Sequence, residues 1–569
     1  MPSLTRKLIN GHPYYYARWC QRVDGRPKIV RTLYLGSLDN IVQAVETAQQ
    51  PLPPREAEVA HFADVVALYD QAAQLGLVDL IDAQVPKRHQ GLSVGQYLVL
   101  AAINRAAHPT SKAKLAQWYR QTVLPRLMPA SADELTSQAF WNHMDLVSQK
   151  DIEAIEKNLA QRLLRDLKLD LRTLVYDGTN FFTYINTTNP ATLPARGRNK
   201  QKRGDLRQVN LGMLVSTDFH VPLLHRVYTG NVTDATAFQT ISEELARHYQ
   251  QLAEGCEHIT LIFDKGNNST EAFSSVDDSI FHFVGSLVPT QHPDLLRIPL
   301  EQFQPLPGAR FEGVLVYRTR KVVFGQERTI VITFNEALLE GQLQGIAAHL
   351  EKARRELAEL QAKLRRHRQG RVKGGRAPTA ESVRKQVDQI LSGQFLKQLL
   401  HCDVDAQQVP GLRFRTDTGA LAHLVDTQLG KTILFTDNDN WSDQEIVSGY
   451  RAQYHIESAF RDMKNPHFLG WSPMYHWTDS KIRVHAFYCV LALTLVSLLQ
   501  RTLHSKGIDL SLTRMMELLG AIQEVLVIYP RKPGQHKPRT AVCLSHRDEE
   551  QKRLCQALAL ERYEAREAR

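Results

Sequence analysis

Three carboxylates stand where a folded chain has little ordinary use for them. Asp177 lies inside the apolar run LVYDGTNF, among Val175, Tyr176 and Phe181, and Asp is disfavoured in strands. Asp264 closes a second apolar run, ITLIFDKG. Glu457 lies in YRAQYHIESAFRDMK, residues 450–464. Read as one helix, that stretch sets Tyr450, Gln453, Glu457, Arg461 and Lys464 on one inward-looking face, flanked by Ile456, Phe460 and Met463. Each acid alone has a plain reading. Asp264 before Lys-Gly is a turn former, Asp177-Gly178 marks a bulge, and Glu457 pairs with Arg461 on a helix surface. Together they suit other chemistry. Two ionised carboxylates on neighbouring strands repel unless a cation lies between them. Hard oxygen ligands with open water positions suit Mg²⁺ or Mn²⁺. A third carboxylate, from a helix on the same sheet, completes a site for two ions. Such a site activates an attacking oxygen and stabilises a leaving one in phosphodiester displacement.

The elements that must position these acids follow from periodicity. At about residue 170 the pattern changes from helix to strand. Strands are expected over 171–185, 207–217 and 220–230, a helix over 234–252, and a strand over 256–267. The first three form an antiparallel meander, and the helix crosses to a strand parallel to the first. Asp177 and Asp264 then sit on neighbouring strands. This is the opening half of an RNase-H-like α/β fold. Residues 290–430 interrupt it with two strand-like pieces (313–324, 328–334) and a long helix. Leu339, Leu343, Ile346, Leu350, Ala353, Leu357, Leu360 and Leu364 make an a/d seam on that helix, read as a helical arm, a dimer contact or a helix packed within the chain. The pattern resumes with the strand KTILFTDN (431–438), and Ser442 with Glu445 makes a capping box for the helix that carries Glu457.

Outside the core, residues 1–50 read as a β-hairpin module around DGRP, and 58–168 as a helical domain with a possible DNA-binding role. Within that domain, helices are expected over 92–109, 112–127 and 149–167. The core occupies 170–289 and 431–505, the insertion 290–430, and a helical tail 506–569. Two basic stretches suit phosphate or plain solvent: RRHRQGRVKGGR (365–376) and ARGRNKQKRGDLR (195–207), the latter with Arg198, Lys200, Lys202 and Arg203.

The chain has 569 residues and a net charge of +10, which suggests a polyanionic partner, most simply nucleic acid. Six scattered cysteines without a C-x-x-C pair suggest a reducing compartment. The N-terminus lacks the apolar region of a signal peptide. The longest apolar run, 486–499, is too short to span a bilayer and reads as a core helix. A cytoplasmic protein without a membrane partner is expected.

These motifs together resemble a known family. The chain looks like a DDE transposase of the bacterial insertion-sequence four superfamily, which is marked by a helix motif Y-(2)-R-(3)-E-(6)-K. Tyr450, Glu457 and Lys464 are in register, and Gln453 stands at the Arg position. VYDGTNFF, LIFDKGNNS, GNVTDATAF (230–238) and PMYHWTDSKIRVHAFYCVLAL (473–493) resemble the family's other segments. The resemblance implies an RNase-H-like catalytic core with an insertion between the second Asp and the Glu. It implies that Asp177 bridges two Mg²⁺ or Mn²⁺ ions, with Asp264 and Glu457 each holding one. Tyr450 and Lys464 would touch DNA phosphate near the cleaved end, and Arg461 lies one turn beyond the Glu. The implied activity is nicking at terminal inverted repeats and strand transfer by the freed 3′-OH into target DNA, carried out by a homodimer. Two other readings stand beside it: a DNA-binding copy without chemistry that inhibits transposition, and a nuclease or resolvase that cuts without strand transfer.

Overall fold

The structure, a computed structural model, describes residues 2–23, 26–49, 53–87, 90–169, 172–199, 201–232, 259–264, 281–371, 377–531 and 537–565, with isolated positions 266, 268, 270, 273 and 277. The chain divides into two units, one of residues 1–63, 121–123 and 520–569, the other of residues 64–120 and 124–519.

In the first unit, β1 (Ser3–Ile9), β2 (His12–Val23) and β3 (Arg26–Gly36) form an antiparallel sheet in that order. The expected hairpin is β2–β3, and β1 is a third strand that the sequence reading left out. Asn10 and Gly11 both take positive φ, 49° and 77°, as a two-residue hairpin turn between β1 and β2 requires. A helix, Leu38–Gln49, follows, and then β4 (Glu56–His61), a strand where the helical domain was expected to begin.

In the second unit, Val94–Ala107 is a helix capped by Ser93, whose hydroxyl accepts from Gln96 N while the Gln96 side chain accepts from Ser93 N. It is mostly apolar and buried on nearly all sides, with Asn104 and Arg105 buried among its apolar residues. The expected 112–127 helix is two shorter ones, Lys112–Arg120 and Leu124–Leu127. The Gln149–Leu167 helix has the expected bounds.

The main sheet begins as the periodicity requires. β5 (Thr173–Thr183), β6 (Arg207–Ser216) and β7 (Pro222–Thr229) make the antiparallel meander. Buried Glu156, from the 149–167 helix, accepts from Arg226 Nη1 at 3.1 Å and pairs with His225, fixing that helix to β7. β8 (Ile259–Ile262) is parallel to β5, and β9 (Phe281–Ser286) is parallel to β8. The expected crossover helix, 234–252, lies outside the described residues.

The insertion is not separate from this sheet. β10 (Gln304–Pro305), β11 (Val314–Val323) and β12 (Gln326–Asn335) extend it, giving the order β10-β11-β12-β15-β9-β8-β5-β6-β7, where β15 is Lys431–Thr436. Only the part between β12 and β15 leaves it. There the Glu336–Arg368 helix buries Ala353, Leu357, Leu360 and Leu364 against Val383 and Val387 of the Ala380–Ile390 helix. Leu400 of β13 (Leu400–Val404) and Leu412 of β14 (Leu412–Thr416) complete that cluster. The leucine seam packs within its own chain, as an arm that carries its own core. Each fully buried leucine there contributes about 1.5–3 kcal/mol.

After β15 the single helix expected across 450–464 is two, Asp443–Arg451 and Gln453–Met463. The Ala452 N–H divides its hydrogen bond between Ser448 O and Gly449 O, which tightens the turn between the two helices. The capping box at Ser442 and Glu445 forms as expected. The Asp479–His504 helix is long and apolar enough to cross a membrane, yet nearly all of its apolar stretch is buried inside the protein. The tail expected to be helical carries β16 (Gln523–Ile528), between β4 and β17 (Thr540–Leu544), and one helix, Glu549–Ala557.

Candidate active site

Register brings two of the acids together. Thr173, Leu174 and Val175 of β5 pair with Thr260, Leu261 and Ile262 of β8. Continued by two residues, the register sets Asp177 beside Asp264 on one face, with neighbouring strands about 4.8 Å apart. The next strand repeats the step: Ile262 pairs with Val284, which aligns Asp264 with Ser286 at the end of β9. Ser286 Oγ donates to Asp264 Oδ1 at 3.2 Å. Asp177 Oδ1 accepts from the N–H of Gly178 at 2.8 Å.

The 443–451 helix delivers Tyr450 onto this row. Its hydroxyl lies 2.9 Å from Ser286 Oγ and 3.3 Å from Asp264 Oδ1, so its proton is shared between them. Burial, and then the Asp264 carboxylate, push the Tyr450 phenol well above its ordinary pKa, with a smaller push from Glu457. Tyr450 is therefore a neutral donor at any physiological pH, and it feels the charges of two of the three acids.

The 453–463 helix packs against β5. Its inward stripe is Gln453, Ile456, Ala459, Phe460 and Met463, all buried. Glu457 is exposed, beside that stripe and not in it. This corrects the expectation that Glu457 faces inward; within the 453–463 helix the buried stripe centres on Ile456, Phe460 and Met463 and leaves Glu457 at its edge. The Glu457–Arg461 ion pair does not form either, since Arg461 donates to Ser458 Oγ at 2.7 Å. Among the described residues, no three His, Cys, Asp or Glu side chains are gathered closely enough to hold a metal ion. The donors at hand are nonetheless all oxygen, which fits a hard divalent cation.

Along β5, Asp177, Thr179 and Phe181 share a face. Lys464 Nζ donates to Thr179 Oγ1 at 2.6 Å and lies 5.5 Å from the centre of the Phe181 ring. Trp471 stacks on Phe181, with centroids 4.2 Å apart, and its backbone N–H donates to Met463 O at 2.8 Å. Buried Arg105 holds the same loop through Gly470 O and Pro473 O, at 3.1 Å each. These ties fix the end of the 453–463 helix over β5. His485 belongs to this core, where its Nε2 meets Trp471 O at 2.8 Å.

The basic loop before β6 is only partly available to a ligand. Arg198 is exposed. Arg203 is held by Asp205 through two hydrogen bonds of 2.8 and 2.7 Å, which pull the Asp205 carboxyl down to about 2. Lys202 reaches Ser392 Oγ at 3.4 Å. Arg207 is spent on four backbone carbonyls, those of Pro194, Asn186, Asn189 and Ala191. Lys200 lies outside the described residues.

Ser286, Thr179, Trp471 and Arg105 were not singled out from sequence. Ser286 becomes visible only when the register of β8 with β9 is known. A cavity of 710 Å³, lined by Thr173, Thr260, Arg310, Phe311 and Trp441, opens at the starts of β5 and β8, whereas Asp177 lies in the middle of β5 and Asp264 just past the end of β8.

The family model described as "Transposase DDE domain" matches residues 170–495, more than half of the chain. The chain belongs to the DDE transposase family. No curated protein sequence matches it. Similar solved structures include two transposase complexes. The piggyBac transposase synaptic complex with hairpin DNA covers 82% of this chain and 82% of its own, at 9% identity and a TM-score of 0.35. The Mos1 transposase paired-end complex with the left transposon end covers 33% of this chain and 62% of its own, at 16% identity and a TM-score of 0.15.

Proposed function

We propose that this chain is an active transposase of the insertion-sequence four type. It nicks DNA at terminal inverted repeats and joins the freed 3′-OH to target DNA, acting as a homodimer in the bacterial cytoplasm. Its sheet from β7 to β9 is read as an RNase-H-like core. The observation that carries the proposal is the parallel register of β5 and β8, which aligns Asp177 with Asp264. Two Mg²⁺ or Mn²⁺ ions, held by Asp177, Asp264 and Glu457, would polarise the scissile phosphate and its attacking and leaving oxygens. Tyr450 and Ser286 orient Asp264 by hydrogen bonds. Lys464, with Arg461, lies on the helix beyond Glu457, where a phosphate beside Asp177 would meet a cation.

The test is cleavage of linear DNA carrying the gene's own flanks, with Mg²⁺, Mn²⁺ or EDTA, by wild type and by Glu457→Gln. Metal-dependent nicks at defined ends, lost in the variant while binding persists, are expected. Binding without nicks in the wild type under either metal would replace this reading with that of a DNA-binding inhibitor.

A further inference from the structure

The three-stranded sheet of the first unit has a charge balance of its own. Residues 3–36 hold seven Lys or Arg and one acid, Asp24. Six of these cations (Arg6, Lys7, Arg22, Arg26, Lys28 and Arg31) are exposed, and Arg18 is half-buried. Among the described residues none of the seven is in an ion pair with an acid. A small sheet that keeps this much charge of one sign unneutralised is suited to a polyanion.

Pairing sorts its two faces. Lys7 pairs with Tyr14, Thr5 with Tyr16 and Ser3 with Arg18; Tyr16 pairs in turn with Tyr34, and Arg18 with Thr32. Directly paired residues share a face, so Lys7, Tyr14, Tyr16, Arg18 and Tyr34 lie together. Leu4, Ala17 and Leu33 take the other face. On the first face Tyr34 contacts Tyr16 and Tyr14, with centroids 5.1 and 6.1 Å apart, and Lys7 Nζ lies 5.5 Å from the Tyr16 ring centre. The rings thus brace one another, and the Lys7 side chain lies over Tyr16, between the backbone positions of Lys7 and Arg18. The Cα positions of Lys7 and Arg18 are four residues apart along the β1–β2 ribbon, roughly 14 Å at strand rise, a spacing from which flexible side chains reach outward. That matches the width of the DNA major groove, about 12 Å, which admits a two-stranded ribbon.

We infer that this face docks on duplex DNA, with Lys7 and Arg18 on phosphates either side of the major groove and Tyr34 between them at the base edges. The inference rests on the reading of the chain as a protein that acts on DNA, and names a second part that grips it. A single strand is the poorer fit. Stacking needs a row of open rings, and here only Tyr34 is widely exposed, at 56%, while Tyr14 and Tyr16 are half-buried against it.

The experiment measures binding of the full-length protein to a labelled duplex of the gene's flanks, across a salt series. A shuffled duplex and the flank as a single strand are run in parallel. Lys7→Ala/Arg18→Ala should weaken duplex binding roughly ten-fold or more and lower the slope of log K against log salt by about two. Tyr34→Ala should narrow the preference for the flank over the shuffled duplex. Lys7→Gln, at an exposed position holding only a ring contact, replaces the double variant if that does not fold, with a slope change of about one. Unchanged affinity and slope in these variants, or tighter binding of the single strand, would overturn the inference. Nicking is scored in the same samples. A wild type that binds through this face but never nicks sinks the catalytic reading and leaves this one standing.

Discussion

The Tyr450 hydroxyl lies 3.3 Å from Asp264 and 2.9 Å from Ser286, which itself donates to Asp264. A carboxylate presented by a strand end is thus aimed by a donor from a helix and another from the neighbouring strand. Tyr450→Phe removes one aiming contact and keeps the ring. Nicking should fall roughly 10–100-fold, with more Mn²⁺ needed for half-maximal rate, as when ligand-orienting partners are lost. Stability should drop by only about 1 kcal/mol. A variant as active as wild type at limiting Mn²⁺ would reduce the hydroxyl to packing.

Lys464 is exposed and anchored by Thr179. If it also meets phosphate, Lys464→Gln should lower affinity for any duplex evenly, and the salt slope should fall by about one. A salt series on two unrelated duplexes decides this. An unchanged slope would assign Lys464 to Thr179 alone.

Gln453 stands where the family motif has Arg, and it is buried, with Nε2 making no hydrogen bond among the described residues. A buried donor without a partner costs about 1–3 kcal/mol. Gln453→Met, of similar length and without that donor, should raise the urea midpoint. Gln453→Arg should lower it, because the position is dry. The reverse order in urea titrations would mean that the pocket opens to water.

His476 and His485 are buried, at 3% and 0% exposure. Burial first, then the nearby Lys112 and Arg105, hold both well below the ordinary value of 6.5. The unfolded chain therefore binds protons below about pH 6.5 that the folded chain refuses. Stability should be full above that pH and fall as pH drops below it, by up to about 1.4 kcal/mol per pH unit for each histidine, until the folded values are reached. Urea midpoints from pH 7.5 to 5 test this, with His476→Gln expected to flatten the dependence. An equal slope in that variant would place the proton uptake elsewhere.

The meander and its parallel partner were legible because β-branched and aromatic residues fill those runs almost without interruption. The 149–167 helix was legible to the residue because Ser148 and Asp151 form a capping box at its start. The break at Ala452 was not, since neither Gly nor Pro stands there and the cause is one divided hydrogen bond. The exposure of Glu457 was not legible either, since the buried stripe of its helix centres on Ile456, Phe460 and Met463. The union of β12 with β15 was hidden for another reason: strand partners far apart in the chain leave no local mark. Arg207 looked like a phosphate contact because residue type does not reveal four carbonyls folded around a guanidinium.

The chain leaves the main sheet at Asn335 and returns at Gly430, and there Asn335 N donates to Gly430 O at 3.0 Å. The helical arm between them has a closed waist, with apolar clusters of its own beyond it. Loop closure depends only weakly on length, so the arm's size is nearly free of the sheet's geometry. It can be lengthened, trimmed or exchanged while β12 and β15 keep their register. Variation can therefore accumulate in the arm, and alter what the protein touches, without moving the acids.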